Sequence, residues 1–239
     1  MYKLMKLEWR KHDIGKYIRN AVILGAILCI FIFALEFLGI ANNPETGVPD
    51  VVPGNDGISS PIELFTGMSF LVFTGIMMSS FIVASLRDKT MQLMFSYPIK
   101  RQKIVLAQIL AVWIFNFIAH FCVKLFIYVC IFLSAKYLEP AFYLDFQLSE
   151  ISFYIHQLIK TFVTVNMGII ALFVGMVLQS TKAVVVASFL LILLTQANVG
   201  DITLAGNGIF LLVLTVISFF CVFYILWRVE KQDLMERVR

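Results

Sequence analysis

The sequence predicts an all-α membrane protein of six transmembrane helices, preceded by an interfacial amphipathic helix. Three observations carry this expectation. Of 239 residues, 60% are hydrophobic and only 14% charged, with a mean hydropathy of +0.90. A soluble domain carries about 25% charged and 45–50% apolar residues, and a compact soluble fold of this length could not bury the excess. The apolar residues gather into six runs, and a membrane helix needs about 20 of them. All six prolines, Pro44, Pro49, Pro53, Pro61, Pro98 and Pro140, fall between the runs, where a missing N–H breaks no helix. A secreted enzyme, a nucleic-acid-binding domain and a disordered scaffold are excluded.

The elements follow in order. Met1–Asn20 is too charged to span. At 100° per residue Lys3, Lys6 and Arg10 share one face, with Met1, Leu4, Met5, Leu7 and Trp9 around the rest. Such a basic amphipathic helix is expected to lie in the membrane interface. One membrane domain covers 21–228, with spans at about 21–41, 62–86, 104–135, 153–178, 183–199 and 209–227. The segment 42–61, rich in Pro and Gly, reads as a loop. The third run is longer than one bilayer crossing and is expected to tilt or to begin outside the membrane. Residues 229–239 form a polar tail. The first run begins at Ala21, is long enough to span and has no small-x-small cleavage site, so no cleavable signal peptide is expected. Cys29, Cys122, Cys130 and Cys221 all lie in apolar stretches without zinc-type spacing, and read as buried thiols rather than a disulfide framework.

Orientation follows from lysine and arginine. Sixteen of the nineteen fall in Met1–Asn20, in the segment between spans 2 and 3, at Lys182, at Arg228, and in the tail. The opposite loops hold only Lys136, against seven acidic residues, Glu45, Asp50, Asp56, Glu139, Asp145, Glu150 and Asp201. The positive-inside rule then places both termini in the cytoplasm of a multi-pass cell-membrane protein. The net charge of +4 is a topology signal with a contact to anionic membrane lipid, not a nucleic-acid signal.

The chain has no phosphate loop, no HExxH zinc helix and no GxSxG elbow. His12, His120 and His156 share no metal-ligand spacing, and no Glu-Glu pair suggests an intramembrane protease. Neither a catalytic site nor a metal site is expected. Driven work would need energy from a partner subunit or an ion gradient.

Between spans 2 and 3 lies Arg87-Asp88-Lys89-Thr90-Met91-Gln92-Leu93-Met94-Phe95-Ser96-Tyr97-Pro98-Ile99-Lys100-Arg101. Met91, Met94 and Phe95 recur at i, i+3, i+4 and give a short helix one apolar face. An apolar face outside the bilayer suits docking, and methionine suits a moving contact. With the amphipathic N-terminus, the six spans and the cytoplasmic termini, this segment resembles the ABC transporter type-2 permease family. Thr90, the Leu93/Met94 pair, Pro98 and Arg101 fit that family's pattern. Lys89 replaces its glycine, and Asp88 is the nearest acid to its usual glutamate. The resemblance covers the whole chain in topology and about fifteen residues in motif. It implies that Thr90, Met91, Leu93, Met94, Phe95, Pro98 and Arg101 belong to a coupling helix docking on a separate ATP-binding subunit. It implies further that Met1–Asn20 is an elbow helix and that a second permease subunit completes the pathway. ATP and Mg²⁺ would bind the partner, leaving this chain without a cofactor.

Polar residues inside spans are costly and usually functional. Asn116, His120 and Lys124 recur every four residues along one face of the third span, and Glu36 lies in the first. At 1.5 Å per residue, Glu36 and Lys124 both fall about 22 Å deep, which makes an ion pair between them an expectation. Lys160 is expected to snorkel outward. Gly25 with Ala26, and Gly168 with Gly175, are expected to admit close helix approach. The leading expectation is therefore the membrane permease subunit of an ATP-driven exporter for an amphipathic or hydrophobic cargo such as a peptide or antibiotic. The alternatives are an ion-coupled carrier or channel using Glu36, Asn116, His120 and Lys124, and an accessory assembly or sensor protein.

Overall fold

The computed structural model describes residues 2–37, 58–83, 101–137, 146–195, 198–199, 202–203 and 208–237. Among these are seven α-helices: α1 (Tyr2–Lys11), α2 (Ile14–Phe37), α3 (Ser59–Met78), α4 (Arg101–Tyr137), α5 (Ile151–Val177), α6 (Thr181–Thr195) and α7 (Gly208–Arg237). A π-helical turn, Ser79–Val83, continues α3. The short strands β1 (Asn198–Val199) and β2 (Ile202–Thr203) pair antiparallel between α6 and α7.

Among the described residues, five helices are long and apolar enough to cross a membrane: Ile14–Leu35, Ser59–Val83, Gln102–Ser134, Ile151–Val177 and Gly208–Val229. The expected fifth span, 183–199, is instead the 15-residue α6. At 1.5 Å per residue it rises about 22 Å, short of the roughly 30 Å hydrocarbon layer, and its C-terminal part gives way to the β1–β2 pair. α4 runs 37 residues, about 55 Å, and so extends beyond one crossing. Apolar side chains cover the outer faces: Val22, Ile23, Ile27 and Ile30 on α2, Phe189, Leu190 and Leu193 on α6, and Leu212, Phe219, Phe220 and Phe223 on α7 are all exposed. Only 22% of the most apolar window of α7 is buried within the protein. Water would not tolerate surfaces of this extent, whereas lipid does.

Four hydroxyls in these helices are satisfied inside their own helix. Thr66 donates to the carbonyl of Ile62, Thr74 to Phe70, Ser134 to Cys130 and Ser188 to Val184, at 2.6–2.9 Å. Hydrocarbon offers no competing partner, so this i−4 bonding is the local solution.

The described chain divides into two compact units. The first comprises Met1–Ile14, Phe70–Phe117 and Phe162–Arg239. In it α1 turns Glu8 inward with Leu4, Met5, Trp9 and His12, while Lys3, Lys6 and Arg10 are exposed. The basic face is the one expected, but the inner face carries a carboxylate, with Glu8 4% exposed. Trp9 Nε1 donates to the carbonyl of Ala111 at 3.1 Å, and the His12 ring stacks on Phe81 at 4.0 Å. The amphipathic helix ends at Lys11 rather than Asn20, because Asp13 takes a left-handed φ of 47°. Aspartate tolerates that conformation, and α2 starts immediately after it.

Small residues set the helix spacing in this unit. A Cβ on Gly168 would stand 2.5 Å from Thr74 Cγ2, and one on Gly175 would stand 2.0 Å from Val184 Cγ2. Both glycines were expected to admit a close neighbour. The second unit comprises Gly15–Ser69 and Ile118–Thr161. Its core joins Leu28 and Ile32 of α2, Ile62 of α3, and Ile127, Tyr128 and Ile131 of α4, with Ile58 and Phe146 beside them. Gly25 lies against Val123, whose Cγ2 would be 3.0 Å from an added Cβ.

Two outcomes follow from this packing. Gly175→Ala should lower stability by about 1–3 kcal/mol, because the added methyl would stand 2.0 Å from Val184 Cγ2, and Val184→Ala in the same chain should restore most of the loss. Gly15→Ala, with nothing within 4 Å of its added Cβ, should be neutral or stabilising by up to about 1 kcal/mol. Thermal unfolding in detergent measures both. The docking of α1 should depend on pH. Burial, and then the neighbouring Lys11 charge, hold the His12 pKa below its ordinary value, outweighing the Glu8 carboxylate 3.8 Å away. A group whose pKa is lowered on folding binds more protons when unfolded, so its contribution is lost as pH falls below about 6.5. Amide exchange in α1 should therefore accelerate between pH 7.5 and 5.5, and His12→Gln should flatten that dependence.

Candidate functional site

The second unit holds a charged cluster inside its apolar core. Period four on α4 puts His120, Lys124 and Tyr128 on one face, and all three are at most 1% exposed. α5 adds Gln157, Lys160 and Thr161, at i, i+3 and i+4. α3 adds Glu63, two residues after Pro61, which sits in the first turn where a missing N–H costs nothing.

Glu63 is the hub. Lys160 Nζ forms an ion pair with Glu63 Oε2, and Gln157 Nε2 donates to Glu63 Oε1 at 3.1 Å. Gln157 Nε2 also reaches the Tyr128 hydroxyl at 3.1 Å. That hydroxyl is held in place by aromatic packing, since the Tyr128 ring meets Phe146 and Phe153 edge-on, with centroids 4.8 and 4.9 Å apart. Lys124 feels the charges of Glu63 and Lys160, and His120 feels that of Lys124. A lysine this deep is costly on its own, and the nearby carboxylate offsets part of that cost. Side-chain exposure is graded: 36% for Lys160 and 21% for Glu63, against 1% for Lys124 as a whole. The cluster thus runs from an accessible ion pair to a buried ammonium.

The expected site residues fare differently. His120 and Lys124 enter this cluster. Asn116, on the same helix face, belongs to the first unit, where its Nδ2 donates to the carbonyl of Val112 at 2.9 Å and lies 3.3 Å from Met77 Sδ. Glu36 lies on α2, but its side chain is outside the described residues, so its pairing with Lys124 is outside them too. Thr90, Met91, Leu93, Met94, Phe95 and Pro98 also lie outside the described residues. Arg101 is the first residue of α4, with its side chain outside them. Lys160, expected to snorkel alone, is paired. Glu63 was not anticipated at all, because it sits at the very start of an apolar run. The available signal was on α5, where Gln157, Lys160 and Thr161 form a polar face within an apolar helix.

The first unit carries a separate set of buried amides. Trp113 Nε1 donates to Asn166 Oδ1 at 3.0 Å. Gln108 is fully buried, and neither of its amide atoms has a hydrogen-bond partner among the described residues. No group of three or more His, Cys, Asp or Glu that could hold a metal converges among the described residues.

Comparison with known proteins returns one relative of full length. The chain is 23% identical over 244 residues to the uncharacterized protein YcbO of Bacillus subtilis (strain 168), covering 96% of this chain and 99% of that protein. No protein-family profile matches, and no solved structure matches.

The cluster predicts non-additive mutations. Glu63→Gln and Lys160→Gln should each lower unfolding stability by about 1–2 kcal/mol, a magnitude between exposed and fully buried pairs. The double variant should lose less than the sum of the two. A double-mutant cycle on thermal unfolding reads the coupling directly, and simple additivity would show that the two side chains act independently.

Proposed function

We propose that the chain is the membrane permease subunit of an ATP-driven ABC exporter, acting with a separate ATP-binding subunit and a second permease subunit. The observation that carries this reading is the N-terminal corner. A basic amphipathic helix precedes the first span, turns sharply at Asp13, and is fastened to its own unit through Trp9 and Phe81. A helix held this way can pass a push from the cytoplasmic side into packed helices. The resemblance of 87–101 to a type-2 permease coupling segment supports the same reading, as does the one-sided lysine and arginine distribution. The chain has no phosphate loop, so hydrolysis belongs to the partner. Extensive lipid-facing surfaces and a charged cluster within the apolar core suit an amphipathic cargo.

An ion-coupled carrier is the second reading, and the Glu63–Lys160–Lys124 cluster is the observation that favours it. Uptake or efflux that persists without ATP and follows the proton gradient would select it.

The permease reading is tested by affinity purification of the chain from its native membrane. A protein with a phosphate loop should copurify, and its ATP hydrolysis should be altered by the chain. The double variant Met94→Asp/Phe95→Asp should release that subunit at least tenfold without changing the unfolding temperature of the permease. Retention of the subunit by that variant would remove the docking role assigned to 87–101.

A further inference from the structure

Two of the four cysteines meet in the second unit. The side chains of Cys29 on α2 and Cys130 on α4 are in hydrogen-bond contact, and both are free thiols. The packing of the two helices brings them together. Gly25 lies against Val123, and further along the same pair of helices Leu28 and Ile32 share a core with Ile127 and Ile131. Cys29 follows Gly25 by four residues and Cys130 follows Val123 by seven, so each stays on the face that carries the contact. Both thiols sit at the edge of that core and are half-buried. Beside Cys29, Leu28 and Ile32 are buried on one flank, while Val22 and Ala26 are exposed on the other. Beside Cys130, Ile127 and Ile131 are buried, while Phe126 and Leu133 are exposed. The exposed flank is apolar on both helices, so the pair is reached from lipid rather than from water.

We propose that Cys29 and Cys130 form a redox lock, a thiol pair that a lipid-soluble quinone oxidises to a disulfide joining α2 to α4. Both S–H bonds break and one S–S bond forms. The two electrons and two protons pass to the quinone, which leaves as the hydroquinone. A small dithiol reverses the step by exchange, becoming a disulfide itself as the two protein thiols are restored. A disulfide joins residues whose Cα atoms lie about 5.5–6 Å apart. Between two helices only close approach allows that, and glycine at position 25 supplies it. A quinone is the fitting class of oxidant because its ring partitions into the hydrocarbon that borders the pair, whereas the charges of glutathione disulfide hold it in water. The bond has a mechanical consequence because α2 is lightly held, with only 28% of its most apolar window buried within the protein. A covalent link there adds a fixed contact where packing supplies few. The lock needs no ATP and no partner subunit, and does not rest on the permease reading.

The test uses the purified full chain in a neutral detergent, with decylubiquinone as the probe and glutathione disulfide as the water-soluble comparison. After quinone treatment the intact mass should be lower by two hydrogens. On unfolding, only Cys122 and Cys221 of the four cysteines should alkylate, and peptide mapping should find Cys29 joined to Cys130. Glutathione disulfide should act about tenfold more slowly, because it lacks access to the pair. The unfolding midpoint of the oxidised chain should rise, since the bond closes a long loop in the unfolded state, and dithiothreitol should return it to its starting value. Cys29→Ser and Cys130→Ser should each abolish the midpoint shift, and Cys122→Ser should keep it. Four alkylated cysteines after quinone treatment, a linkage through Cys122 or Cys221, or a mass gain of one quinone would overturn the proposal. Equal rates with the two oxidants would remove the access from lipid, and an unchanged midpoint at full oxidation would remove the constraint on α2. The mapping is made on the unsubstituted chain, so the outcome stands even if a serine variant fails to fold.

Discussion

The structure depends on one constraint: hydrocarbon supplies no hydrogen bonds. Every polar atom in a span must find its partner inside the protein or bear the desolvation cost. The hydroxyls of Thr66, Thr74, Ser134 and Ser188 meet it within one turn of their own helix. The backbone meets it by remaining helical through each of the five long apolar helices. Larger polar groups cannot be satisfied locally, and they decide the tertiary arrangement. Glu63, Gln157, Lys160 and Tyr128 come from three helices and are joined by hydrogen bonds that none of those helices could make alone. Trp113 and Asn166 bind α4 to α5 in the first unit by the same logic. Since lipid is as apolar as leucine, burial of side chains does little to hold helices together. Close packing at glycine and polar pairing take over that role.

This explains which parts of the fold were legible in the sequence. Helix positions could be read because the apolar runs are long and the prolines lie outside them. The glycines at 25, 168 and 175 could be read because a missing Cβ in a membrane helix has few uses other than approach. Two boundaries were not legible. Asp13 stands inside a continuous charged stretch, and nothing in its neighbours marks it as the residue that takes a positive φ. The fifth run, 183–199, has the composition of a span throughout, yet its helix stops at Thr195. Hydropathy reports only that Gln196–Val199 could be buried. It does not report whether the backbone there continues a helix or pairs as a strand.

The candidate site was half legible for a related reason. His120 and Lys124 stood out because they lie deep in a run, where each polar residue is anomalous on its own. Glu63 did not, because a carboxylate at the edge of a run looks like the end of the membrane. Depth counted along the chain treats every helix as upright and fixes each run's start from composition. On that count Glu36 was matched to Lys124, a pairing that lies outside the described residues, and Lys160 was left to reach the surface by itself. Long side chains relax the depth rule, since lysine extends several ångströms from its Cα. The charge of an edge carboxylate can therefore be felt by an ammonium that chain counting places well below it, as Lys124 feels Glu63.

The two units carry different kinds of interaction, and the difference bears on transport. In the first unit the distinctive contacts are steric. Gly168 and Gly175 admit Thr74 and Val184 with no room for a methyl group, and such interfaces move between discrete arrangements rather than deforming smoothly. The anchored α1 belongs to this unit. In the second unit the distinctive contacts are electrostatic, and part of the cluster is accessible. A charged contact can be re-paired when another charge arrives, because the protein's own groups are already desolvated. A carrier that converts a push into movement of a polar head group needs both properties. Rigid contacts transmit displacement without dissipating it, and an exchangeable charge lets the cargo replace a protein group. Under the permease reading, the glycine-packed unit fits the first task and the Glu63 cluster the second. A mutation in either should then leave a recognisable signature: altered coupling to hydrolysis from the first, and altered cargo affinity from the second.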